Sequence, residues 1–108
     1  MTRRTFKQVW DFIKGMEGKK VRTLDRGYVN EIFNVTDEGV WRISYHSTSG
    51  GFTLVRKREF EKIWDELLRN GMCVARRSKA WRVACAILNE LPEVTYSLRP
   101  LTLYLMTE

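Results

Sequence analysis

Apolar residues recur at helical spacing in three stretches of the chain and alternate at strand spacing between them. Phe6, Val9, Trp10 and Ile13 stand three and four apart, which predicts a helix over Thr5–Met16 with Lys7, Asp11 and Lys14 facing away. Gly15 and Gly18 bracket its end. Phe60, Ile63, Trp64 and Leu67 define a second helix that stops at Asn70-Gly71, with Asp65 four residues ahead of Arg69 in the favourable order. Trp81, Ala84, Cys85, Leu88 and Leu91 define a third, with Ser78 as N-cap and Pro92 as stop.

The intervening segments read as strands. Val21–Leu24 and Tyr28–Thr36 flank a turn at Asp25-Arg26-Gly27, and Asp37-Glu38-Gly39 forms a hairpin loop. Val29, Phe33 and Val35 share a parity that Glu31 interrupts. Over Val40–His46, Trp41, Ile43 and Tyr45 point one way and Arg42, Ser44 and His46 the other. On a helix-covered sheet, aromatics of one parity belong in the core, so Trp41, Tyr45 and Phe52 are expected there rather than on a base-stacking platform. Ser47–Gly51 is a loop, Phe52–Arg56 a further strand and Met72–Ala75 a short extended piece. Val94–Leu98 and Leu101–Met106 complete the chain, with Arg99-Pro100 at their corner.

The expected fold is α+β, a small antiparallel sheet covered on one side by three helices, since each helix has one stripe to bury. From the second helix onward the order is helix, strand, helix, hairpin, the order of a winged helix. Arg99-Pro100 makes a poor wing turn, having no glycine.

With 108 residues the chain forms one domain, 1–108. Its 44% hydrophobic content excludes a disordered tail. No apolar run is long enough for a bilayer, and Asp11 and Lys14 interrupt the N-terminal apolar residues, so no membrane partner and a cytoplasmic location are expected. Cys73 and Cys85, both with apolar neighbours, read as core residues of a reducing compartment.

The net charge of +6 points to an anionic partner. From Arg69 to Arg82, both included, there are five basic residues and no acid. Arg76, Arg77, Lys79 and Arg82 surround the start of the third helix, where unpaired backbone N–H groups add positive potential, and are the first candidates for phosphate contact. Lys19, Lys20 and Arg22, with Arg56 and Arg58, are candidates to extend the same surface. The chemical alternatives are weak. Ser47–Gly51 lacks the lysine of a phosphate loop and joins strand to strand. Asp11 with Glu17-Gly18-Lys19 matches a nuclease pattern only in letters, because Asp11 lies on a helix and Gly18 ends one. The single histidine, His46, has no orienting partner in its strand, and two separated cysteines give no zinc spacing. Neither a catalytic centre nor a cofactor or metal is expected.

Val40-Trp41-Arg42-Ile43, Gly51–Arg56, Phe60–Leu68 and Ala86–Val94 follow one another in an order that resembles small accessory domains of prokaryotic restriction-type endonucleases and mobile-element proteins. The resemblance spans about two-thirds of the chain and implies a DNA-associated role without catalysis. The expected function is non-enzymatic nucleic-acid binding, DNA ahead of RNA. The alternative is a protein-interaction module, a subunit or inhibitor docking on a defence or nucleic-acid-processing enzyme.

Overall fold

A computed structural model describes residues 3–46 and 51–106. The chain folds as α1 (Phe6–Lys14), β1 (Lys20–Arg22), β2 (Val29–Thr36), β3 (Gly39–Ser44), β4 (Phe52–Arg56), α2 (Lys57–Asn70), β5 (Met72–Val74), α3 (Lys79–Leu88), β6 (Val94–Ser97) and β7 (Thr102–Leu105). The α+β class is as expected, but the strands make two antiparallel sheets instead of one: a four-stranded meander β1-β2-β3-β4 and a three-stranded sheet β5-β7-β6. The radius of gyration, 13.1 Å, is that of one folded domain of this length. No helix among the described residues is long and apolar enough to cross a membrane.

Local chemistry accounts for the helix ends. Thr5 caps α1 through a reciprocal box, its hydroxyl accepting from the Gln8 N–H while the Gln8 side chain accepts from the Thr5 N–H. Thr5→Ala is expected to lower stability by about 1 kcal/mol, read as a drop in the urea midpoint at unchanged slope. Gly71 ends α2 in the left-handed conformation and donates to the Leu67 carbonyl. The expected Asp65–Arg69 pair forms at 3.1 Å.

The core fills the space between the sheets. Val9, Trp10 and Ile13 of α1 and Phe60, Ile63, Trp64 and Leu67 of α2 are buried, with Trp10 edge-on to Phe60 at 5.6 Å between ring centroids. The Trp64 indole donates to the Arg4 carbonyl at 3.0 Å, and Arg4 pairs with Glu93 at 2.8 Å, which ties the N-terminal segment to the second half of the chain. Helix α3 departs from the expected one-sided stripe. Besides Trp81, Ala84, Cys85 and Leu88, it buries Val83, Ala86 and Ile87, so only its first turn reaches the surface broadly.

The four-stranded sheet corrects the expected facing. Val40, Arg42, Asn30, Ile32 and Val55 lie on the helix-covered face. Trp41 and Ile43 are half-buried on the outer face, and Tyr45 (54% exposed) and Phe52 (52%) are open, as is Phe33 (52%). The physical reason is volume. The inner face meets α1, α2 and α3, whose own rings Trp10, Phe60, Trp64 and Trp81 already fill the core, and the sheet packs against them with the aliphatics Ile32, Val40 and Val55. A register shift between Ile32 and Asn34 then moves Val35 to the inner parity, opposite Val40. The Val29, Phe33 and Val35 parity therefore does not mark one core face.

Candidate functional site

The inner face of the sheet is apolar where it meets α1 and α2 and polar where it meets the start of α3. Register sets this up: Arg42 pairs with Ile32 on one side and Thr53 on the other, and Asn30 pairs with Ser44. Alternation places Asn30, Arg42, Ser44 and Thr53 on the same face. Together with Thr23 and Tyr28 they form one wall of a pocket of about 340 Å³, and Lys79, Ala80, Arg82 and Val83 of α3 form the other.

Arg42 is the chemical centre of this pocket. Only 5% of it is exposed. Its Nη1 donates to Asn30 Oδ1 at 2.7 Å, and Asn30 in turn donates to the Tyr28 carbonyl at 3.3 Å. Among the described residues, its Nε has no hydrogen-bond partner and no carboxylate lies within ion-pair distance of it. Burial lowers its pKa from the ordinary value, but a guanidinium stays charged. A buried cation satisfied only by a neutral amide is costly, and an anion in the pocket would offset that cost.

The start of α3 adds to the same field. Ser78 caps the helix through its hydroxyl, which accepts from the Trp81 N–H at 3.1 Å. The first turn holds no acid and carries Lys79, where the helix dipole disfavours a cation. Arg82 lies one turn on and is held by Asp25 of the β1–β2 turn at 3.2 Å. At the rim, Tyr28 and His46 stack with ring centroids 3.7 Å apart and planes 8° from parallel. His46 is exposed and lies past the end of β3, against an aromatic ring.

The sequence candidates separate into groups. Lys79 and Arg82 line the pocket. Arg76 stacks over the Trp81 ring at 5.0 Å, and the Trp81 indole donates to Glu59, whose other oxygen is 4.0 Å from Arg58. That chain of contacts brings Arg58 to the α3 cluster, partly neutralised by Glu59. Arg77 is exposed beside the N-cap. Lys20, Arg22 and Arg56 occupy the outer parity of the sheet, so they do not join the pocket. Lys20 sits over the Tyr45 ring at 5.0 Å, and Tyr45 donates to Glu31, which raises the tyrosine pKa. Lys19 lies in the exposed turn before β1. The Ser47–Gly51 loop falls, up to Gly50, outside the described residues.

Comparison with known proteins brought no match. Neither a family model, nor a curated protein, nor a solved structure corresponds to this chain. The site is therefore read from its own chemistry.

That chemistry is electrostatic. Burial raises the Cys73 thiol well above its ordinary value, with help from a Glu66 contact, and pushes Cys85 up to about 12. Both cysteines are free and buried, and neither is a thiolate at neutral pH. No group of three or more His, Cys, Asp or Glu converges among the described residues. Arg42, Asn30 and the Tyr28–His46 pair were missed in the sequence. The available signal was a polar parity, Arg42-Ser44-His46, beside Asn30 and Thr53 on the neighbouring strands.

Proposed function

We propose that the chain is a non-enzymatic nucleic-acid-binding domain, DNA ahead of RNA, that holds phosphate at the start of α3. The observation that carries this reading is the convergence of Arg42, Lys79 and Arg82 on one pocket, with Arg76 and Arg77 beside it. An accessory role alongside a restriction-type nuclease fits a domain that supplies grip and no chemistry. The order α2, β5, α3, β6, β7, with sheet order β5-β7-β6, parallels a winged helix. Contact would nevertheless come from the start of α3, because the rest of its length is buried. Such binding has little means of reading base edges and is expected to be nearly indifferent to sequence.

Salt dependence tests it. If three phosphates are neutralised on duplex DNA, affinity should fall about 40-fold between 50 and 200 mM monovalent salt, as a straight line in the logarithms. Affinity that ignores salt would mean that phosphates are not the ligand.

The second reading, docking on a protein such as a nucleic-acid-processing enzyme, is favoured by a different feature. Phe33 and Phe52 meet at 4.4 Å between centroids on the open face of the sheet, next to Trp41, Ile43 and Tyr45. Exposed aromatic area of this kind marks interaction surfaces. The double variant Phe33→Ser/Phe52→Ser is expected to leave DNA affinity within about twofold, since it lies across the sheet from the pocket. A tenfold loss in a fluorescence-anisotropy titration would put the nucleic acid on the aromatic face instead.

A further inference from the structure

We infer that the pocket is a receptor for a phosphate monoester, so that the domain grips a nucleic-acid chain by its phosphorylated end. The inference rests on the nucleic-acid reading for the source of the phosphate, while the pocket's own features supply its chemistry.

Charge is the first argument. Among the described residues Arg42 and Lys79 have no carboxylate within ion-pair distance, whereas Arg82 is matched by Asp25 at 3.2 Å. Two unmatched cations beside a helix N-terminus suit the dianion of a monoester better than the single charge of a backbone diester. Depth is the second. Arg42 lines the pocket with only 5% of its surface exposed, so a phosphate that pairs with its guanidinium must enter the pocket rather than pass over the rim. An internal phosphate is flanked by sugar on both sides and is hindered from doing so, whereas a terminal one is attached on one side only. Size is the third. About 340 Å³ lies at the low end of small-ligand pockets and admits a phosphate with its attached nucleoside, not a duplex. The stacked Tyr28–His46 pair at the rim offers a ring face to that nucleoside's base.

The test compares one fluorescent single-stranded oligonucleotide with a 5′-phosphate, with a 3′-phosphate and with both ends hydroxyl. Competition by adenosine monophosphate, adenosine and inorganic phosphate is measured alongside. The expected result is that one phosphorylated form binds at least about tenfold more tightly than the hydroxyl form. Lys79→Ala, at an exposed position, and Arg42→Gln, accepted only with an unchanged circular-dichroism spectrum, should each remove that preference. If no oligonucleotide binds but direct calorimetric titration shows adenosine monophosphate binding where adenosine does not, and Lys79→Ala abolishes this, the monoester pocket stands and its ligand is a free nucleotide. Equal binding of all three oligonucleotides, with no competition by adenosine monophosphate, overturns the monoester receptor and leaves the nucleic-acid reading intact. Failure of every oligonucleotide and of the nucleotide to bind overturns the monoester receptor, and failure of duplex DNA to bind as well overturns the nucleic-acid reading with it.

Discussion

Gly39→Ala is expected to destabilise the domain by at least about 3 kcal/mol, a large part of what a chain of this size has in reserve. Gly39 opens β3 with φ +151°, a conformation that side chains rarely adopt. An added Cβ would collide with the Val55 carbonyl oxygen and come within 2.8 Å of Arg56 Cα and 2.9 Å of Lys57 N. All three are backbone atoms at the junction of β4 and α2, so no side-chain rotation relieves the overlap. That junction also receives the Lys57 N–H to Glu38 carbonyl bond at 2.9 Å. Relief therefore requires β3 and β4 to part. Gly27→Ala is the internal control. Its φ is +70°, but nothing lies within 4 Å of the added atom, so only the conformational cost of about 1 to 2 kcal/mol applies. Urea denaturation of both variants checks the contrast. Equal stability of the two would mean that the β3–β4 junction is looser than this geometry.

The second large effect concerns binding. Replacing Arg76, Arg77 and Lys79 together by alanine should weaken DNA binding by about 30-fold at 50 mM salt, alike on unrelated sequences, and flatten the salt slope by close to one unit per contact removed. Stability should change little. The Arg76 contact over the Trp81 ring is lost, at about 0.5 to 1 kcal/mol, and removing Lys79 from a helical first turn that prefers an acid offsets part of that loss. A large loss of binding with little change in stability separates a ligand contact from a structural one. Anisotropy titrations and thermal melts on the same preparations measure both. A variant with undiminished affinity would take these residues out of the interface.

The helices were legible in the sequence because each carries an apolar stripe that agrees with its stop signal, as at Gly71, and Ser78 adds a cap ahead of Trp81. The Thr5–Gln8 box went unread, and the second helix starts at Arg56 without a side-chain cap. Sheet facing was less legible. Periodicity gives which residues share a face, but not which face is covered, and the expectation that large rings go inside chose the wrong one for Tyr45 and Phe52. One shift of register in β2 was enough to break the alternation on that strand.

The candidate site was legible only in its helical half. Lys79 and Arg82 follow from a run of cations at a helix start, a local signal. Arg42 requires knowing that its parity is the inner one and that α3 starts across the pocket from it, both consequences of tertiary packing. Lys20, Arg22 and Arg56 fail to join them for the same reason. Their positions alternate to the outer face, which the sequence does not distinguish from the inner.

The most direct test is a ¹⁵N NMR titration of the folded domain with a short 5′-phosphorylated oligonucleotide. Binding at the start of α3 predicts the largest amide shifts at Thr53, Lys79, Ala80, Arg82 and Val83, with the Arg42 Nε–H resonance moving with them. Shifts confined to Lys20, Phe33, Tyr45 and Phe52 would contradict it and assign the ligand to the opposite side of the sheet.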